Sequence, residues 1–173
     1  IHCRERYNTQ AELLENAHEF RKRKLPVDVI VQDWQWWGKY GWNAMQFDES
    51  KYPDPGKMVR ELHNMNMHLM LSVWSKIDKQ SALGKQMESK GFYIPGTDWI
   101  DFFNPDAAAF YWHNFSSKLL KPYKIDAWWQ DATEPENDDL LNRRINNGKT
   151  PGEFYRNVYP LFVNKTVYEG LRK

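Results

Sequence analysis

The clearest structural signal in this chain of 173 residues is the stretch Pro26-Val27-Asp28-Val29-Ile30-Val31-Gln32-Asp33-Trp34. Its β-branched residues predict a strand that is covered on both faces, as in a parallel sheet. A helix is predicted before it, over residues 9–24, from a capping Thr9 and an apolar stripe. An irregular, aromatic loop is predicted after it, over residues 35–54. Loops of this length often carry functional residues.

The alternation of helix and strand continues through the rest of the chain. The further predictions, in chain order, are a helix over 55–66, a strand over 68–74, an irregular stretch over 75–105 with a short helix near residues 81–89, a helix over 106–121 stopped by Pro122, a strand over 125–130 that ends at Asp131, a polar loop over 132–150, and a helix over 151–171. Strands alternating with helices imply an α/β fold with a parallel sheet and right-handed crossovers, either doubly wound or closed into a barrel. Residues 1–173 are expected to form a single segment, without an internal domain boundary.

Three strand ends carry side chains suited to a binding site, namely Asp33, Trp74 and Asp131. Parallel sheets bind ligands at the carboxyl ends of their strands, so these residues are expected to line one rim. A strand-end Asp can instead cap the next helix. The next helices begin many residues downstream of both acids, which favours function, whereas Trp74 alone is equally compatible with core packing.

Composition narrows the class of protein. The formal net charge is +1, so no surface for nucleic acid is predicted, and no apolar run approaches the roughly 18 residues that span a bilayer. The single Cys3 cannot form an internal disulfide. No cluster has zinc-ligand spacing and the histidines lie away from the strand ends, so neither a metal nor another cofactor is predicted. The cellular compartment stays open.

Aromatic residues make up 16% of the chain and cluster beside acids, which suits carbohydrate binding. One such cluster, Trp128-Trp129-Gln130-Asp131-Ala132-Thr133-Glu134, resembles the nucleophile motif of glycoside hydrolase family 31, the retaining α-glucosidases and α-xylosidases. The family motif has the form Trp-x-Asp-x-x-Glu, commonly with Met-Asn between the acids, where this chain has Ala132-Thr133.

The resemblance extends upstream through residues 25–34, Phe47-Asp48 and Tyr52-Pro53-Asp54-Pro55, and so covers nearly the whole chain. Several separate motifs in the same order are more specific than one short pattern. Within the family, the run of residues 32–37 followed by Gly41-Trp42-Asn43 is most similar to bacterial α-xylosidases.

The resemblance implies a role for each site residue. Asp131 would be the catalytic nucleophile, Asp33 would bind hydroxyls of the sugar in the cleaved subsite, and Trp74 would pack against that sugar. Glu134 would support the loop of the nucleophile. Trp34 and Trp129, which lie near the two acids in sequence, complete the candidate substrate-binding set, although some family members have Lys where this chain has Trp129.

The resemblance also implies that the chain is incomplete. Three strands cannot close an eight-stranded barrel, so we expect about strands two to four of a (β/α)8 TIM barrel, from the N-terminal part of a truncated catalytic domain. The second catalytic carboxyl, the acid/base, would lie beyond Lys173. An isolated chain is therefore expected to be inactive, and its open sheet edges favour self-association.

Two alternatives remain at this point. A carbohydrate-binding module would use the tryptophans of 34–42 and 128–129 as a stacking platform without catalysis. A metal-dependent hydrolase would use Asp33, Asp131, Glu134 and a histidine. Acids in the loop after Asp131 could in principle serve as the acid/base, but loop acids so close in sequence more often face solvent; these are Glu134, Glu136, Asp138 and Asp139. Xyloside and glucoside substrates are not distinguished.

Overall fold

A three-stranded parallel sheet forms the centre of the molecule. The computed structural model describes residues 1–136 and 140–173. The strands are β1 (Val29–Gln32), β2 (His68–Trp74) and β3 (Ala127–Asp131), side by side in chain order. His2 adds a parallel bridge to Ile30, so the first residues extend along the free side of β1. The predicted parallel α/β architecture is confirmed.

Helices connect the strands and cover the sheet. Their bounds are α1 (Gln10–Lys22), α2 (Pro55–Asn64), α3 (Ala82–Ser89), α4 (Pro105–Phe115), α5 (Lys121–Tyr123) and α6 (Tyr159–Leu171). Side-chain oxygens cap four of them by accepting a backbone N–H in the first turn; the capping residues are Thr9, Asp54, Ser81 and Asn104. Each cap satisfies a backbone donor that a helix leaves unpaired at its start.

The core lies between β2 and the surrounding helices. Leu69, Leu71 and Val73 alternate along β2 and are fully buried. Met58 and Leu62 are buried on α2, which packs on β2. The opposite face of the strand carries Met70, Ser72 and Trp74, the face from which the candidate site is built.

The helix predicted over 106–121 continues past its expected end. After α4 the backbone widens into one π-helical segment, Ser116–Leu120, and then resumes as α5. Pro122 therefore lies inside the last turn instead of stopping the helix. A widened turn gives room to the proline ring, which in a regular helix meets the carbonyl four residues earlier.

The last helix begins later than predicted, at Tyr159 instead of residue 151. Part of the expected polar loop is a β-hairpin, in which β4 (Arg144–Ile145) pairs with β5 (Thr150–Pro151). Asn146, Asn147 and Gly148 all have positive φ and form its turn. Asn and Gly adopt the left-handed backbone conformation more readily than other residues, so they favour such a turn. The turn pairs the two short strands and places Pro151 in β5.

Candidate active site

The carboxyl edge of the sheet brings the predicted strand ends together. Asp33 directly follows β1, while Trp74 and Asp131 are the last residues of β2 and β3 and pair in register. Trp129 pairs in the same way with Ser72. Residues two apart in a strand point to the same side, so Trp129 and Asp131 share a face with Trp74.

Asp33 reaches this same face from β1. Val31 pairs with Met70, and Asp33 lies two residues further along, in the row of Ser72. Its Oδ1 accepts a 2.7 Å hydrogen bond from the backbone N–H of Trp34. Burial raises the pKa of the Asp33 carboxyl, and the negative charge of Asp131 raises it further. The two carboxylates are therefore electrostatic neighbours.

The predicted site did not include Cys3, although its thiol lies here. Its Sγ is 4.0 Å from Asp33 Oδ2, and burial, followed by the charges of Asp33 and Asp131, raises the pKa of the thiol. The bridge between His2 and Ile30 brings it to the edge of the sheet. Three residues of sequence are too few to predict a strand, so no local pattern identified it.

Two side-chain hydrogen bonds hold the main chain of Trp74 in place. Its carbonyl oxygen accepts a hydrogen bond from Asn43 Nδ2 at 2.5 Å and another from the hydroxyl of Tyr111 at 2.8 Å. The indole ring meets that of Trp42 edge to face, with 4.9 Å between centroids. The indole N–H of Trp74 is buried and has no acceptor among residues 1–136 and 140–173. An unpaired buried donor at a site can serve a ligand.

The aromatic loop after β1 forms a packed cluster and not a platform. Trp36 and Trp37 are 0% and 3% exposed, and the indole N–H of Trp36 donates to the carbonyl of Ser72. The rings of Trp34 and Trp42 are inclined by 49°, so they are not coplanar. The binding-module alternative requires coplanar exposed rings, and this geometry gives it no support.

The segment after Asp131 borders an open depression of about 590 Å³, lined by Asp131, Ala132, Glu134, Pro135, Glu136 and Arg156. Asp131 Oδ1 accepts a 2.9 Å hydrogen bond from the N–H of Ala132. Glu134 is exposed, and Trp129 is 38% exposed on the face of the site. Asp138 and Asp139 lie outside the described residues.

The metal-dependent alternative finds no ligand set at this edge. Within the described part of the chain, Asp33, Asp131 and Glu134 form no metal-binding group with a histidine.

Among residues 1–136 and 140–173, no helix has both the length and the apolar character needed to cross a membrane.

A parallel sheet with helical crossovers and two carboxylates at its carboxyl edge is the arrangement of a β/α-barrel with its site at the strand ends. The family model described as the glycosyl hydrolases family 31 TIM-barrel domain matches residues 1–173. This chain therefore belongs to glycoside hydrolase family 31, and the predicted family and partial-barrel fold are confirmed.

Relatives of known sequence agree with this assignment. An α-xylosidase from Saccharolobus solfataricus is 42% identical over 177 residues, which cover 98% of this chain and 24% of that protein. A family 31 glucosidase from Pseudescherichia vulneris is 34% identical, over 98% of this chain and 34% of its own length.

Solved structures give the same result. A family 31 α-xylosidase from a soil metagenome, complexed with xylose, superposes with a TM-score of 0.87 at 31% identity, over 98% of this chain and 27% of that one. A family 31 α-xylosidase from Xanthomonas citri gives 0.79 at 33% identity, over 97% and 20%. The chain spans between 20% and 34% of the length of these four proteins.

Proposed function

We propose that this chain is part of a longer retaining α-glycosidase that hydrolyses terminal α-xylosides of oligosaccharides, and that Asp131 is its nucleophile. The segment corresponds to about strands two to four, from the N-terminal part of the catalytic barrel. The observation that carries the proposal is the common face of Asp33, Trp74 and Asp131 at the carboxyl edge of a parallel sheet. Relatives named α-xylosidases favour xylosides, with α-glucosides as the second candidate.

The chemistry follows from the placement of the acid. A retaining glycosidase needs two carboxyl groups about 5 to 5.5 Å apart, one that attacks the anomeric carbon and one that protonates the leaving oxygen. The Asp131 carboxylate, at the end of a strand, would form the bond to the anomeric carbon as the glycosidic oxygen leaves. Water then cleaves the glycosyl-enzyme with net retention of configuration.

The other residues would hold the sugar for that attack. Asp33 would accept hydrogen bonds from sugar hydroxyls, and its burial beside Asp131 means that such donors would offset a charge kept out of water. Trp74 would pack against the ring and offer its unpaired indole N–H. Trp34 would border the subsite beside Asp33, Trp129 would extend the wall next to Asp131, and Glu134 would support the loop of the nucleophile.

The acid/base would lie outside residues 1–173. A nucleophile without its acid leaves the departing oxygen unprotonated, so the segment alone is expected to show no hydrolase activity. Turnover of an aryl α-xyloside by the purified segment, abolished by Asp131→Ala, would contradict this expectation.

The test uses the full-length enzyme. Asp131→Asn should lower kcat for an aryl α-xyloside by at least about 10⁴-fold, since a neutral amide lacks the anionic oxygen that would attack the anomeric carbon. Asp28→Asn is the matched control, because Asp28 is an exposed acid at the opposite edge of the same sheet and should leave kcat unchanged. A fluorinated xylosyl fluoride that traps the intermediate should add one glycosyl mass to the peptide containing Asp131. A label on another acid would refute the assignment.

A further inference from the structure

A second cluster of chemically active side chains lies at the amino-terminal edge of the sheet. His63 is in the last turn of α2, His68 is the first residue of β2, and Asp126 directly precedes β3. One ligand atom from each lies within 4.8 Å of the other two. The cluster is independent of the proposed function, because β2 separates His68 from Trp74 by about 20 Å.

The distances are those of groups that converge on one point. His63 Nε2 lies 3.0 Å from Asp126 Oδ1 and 2.9 Å from its Oδ2, and His68 Nδ1 lies 3.2 Å from Oδ1. Ligands of a tetrahedral Zn²⁺ are about 3.3 Å apart, since each bond is about 2.0–2.1 Å long. Small side-chain rotations would therefore bring the two nitrogens and Oδ1 around one ion.

Asp126 is already oriented for this role. Its Oδ2 accepts a 2.9 Å hydrogen bond from the backbone N–H of Leu69, which fixes the carboxylate against β2. Oδ1 is left between the two imidazoles. Metal-binding carboxylates are commonly held by such a second hydrogen bond, which orients the ligand and reduces the entropy lost on binding.

We propose that His63, His68 and Asp126 bind a divalent transition metal ion of the Zn²⁺ class, with water completing the coordination. Two imidazoles and a carboxylate suit such an ion better than Mg²⁺ or Ca²⁺, which prefer oxygen ligands. The side chains are 37%, 59% and 23% exposed, so the ion can enter from solvent and keep a water ligand. The ion would link α2 to two neighbouring strands and stabilise the fold.

The test measures Zn²⁺ binding to the full-length protein, prepared without a polyhistidine tag and stripped with a chelator. Isothermal titration should detect one equivalent of Zn²⁺ that is lost, or weakened at least about 100-fold, in His63→Gln and in His68→Gln. His18→Gln is the matched control. His18 also pairs with a carboxylate, that of Glu61, but without a second histidine, so its replacement should leave that equivalent unchanged.

Two further measurements complete the test. The same ion should raise the melting temperature of the wild-type protein and not that of His68→Gln, while kcat is the same in both. His68→Cys should recover Zn²⁺ binding, because a thiolate is also a zinc ligand. The proposal is overturned if the wild-type protein binds no Zn²⁺, or if His63→Gln and His68→Gln bind it as tightly as the wild-type protein does. The cluster would then be an ion-pair network only.

Discussion

Trp74 and Asp131 are paired across β2 and β3, so an indole ring and a carboxylate leave the sheet side by side on one face. Neighbouring strands are about 4.8 Å apart, a spacing that allows a sugar ring packed on the indole to present its anomeric carbon to the carboxylate.

Replacement of Trp74 should separate ring packing from hydrogen bonding. In the full-length enzyme, Trp74→Ala is expected to lower kcat/KM by about 10- to 100-fold, because an aromatic contact and a donor are both lost. Trp74→Phe should recover much of this loss, since it keeps the apolar face. Steady-state kinetics on an aryl α-xyloside measure both, and equal activities of Phe and Ala would argue against ring packing.

Asp33→Asn should increase stability while it decreases activity. Burial, and then the charge of Asp131, raises the pKa of Asp33 above its ordinary value of 3.8, so ionisation at neutral pH costs the folded state free energy. The neutral amide avoids that cost. Melting temperatures at neutral pH should be higher for the variant.

The pH dependence checks this explanation. The cost is complete above the raised pKa of the folded protein and disappears as the pH falls below the ordinary value of 3.8, where the folded and unfolded carboxyls are both protonated. The difference in melting temperature should therefore close between those two pH values. A difference that does not change with pH would point to packing instead of charge.

Asp126→Asn should decrease the stability of the metal-free protein, in contrast to Asp33→Asn. Burial raises the pKa of Asp126, but hydrogen bonds from His63 and from the N–H of Leu69 outweigh it and hold the pKa below 3.8. The ionised carboxylate therefore stabilises the fold above pH 3.8, and this contribution is lost as the pH falls through the lowered pKa. Urea denaturation should find the variant less stable at neutral pH and equal to wild type below that pKa.

Replacement by alanine should change the free energy of unfolding in opposite directions at two helical glycines. A Cβ at Gly84 would lie 2.0 Å from the carbonyl oxygen of Asp78, so Gly84→Ala should lower the free energy of unfolding by about 1–3 kcal/mol. A Cβ at Gly56 would approach no atom closer than Arg60 Nη1 at 3.2 Å, on a flexible side chain. Gly56→Ala should therefore raise it by about 0.5–1 kcal/mol, as alanine does in helices. Denaturant titrations compare the two variants.

The strand ends could be predicted from the sequence because their signals are local. A β-branched or apolar run stops at Asp33 and at Trp74, and β2 spans the predicted residues 68–74. The family motif around Asp131 added a non-local constraint. The predicted start of α6 was wrong because proline is common at the first position of a helix, and Pro151 was interpreted in that way. The residues Asn146-Asn147-Gly148 instead form the turn of a hairpin.

Two features depend on tertiary contacts that no local pattern reveals. Cys3 reaches the site only because His2 bridges to Ile30, at a separation of 28 positions. His63 and Asp126 are 63 positions apart and meet only because β2 and β3 are neighbours. Neither pair has a spacing that a motif search recognises.

The two hydrogen bonds to the Trp74 carbonyl have a consequence for how this barrel can vary. Asn43 belongs to the loop before α2 and Tyr111 to α4, so the peptide of Trp74 is fastened from two directions. Insertions elsewhere in either connection can change the surroundings of this strand end while the backbone that carries the indole stays in place. Loop variation at this edge of the sheet would thus leave the backbone position of an aromatic residue unchanged.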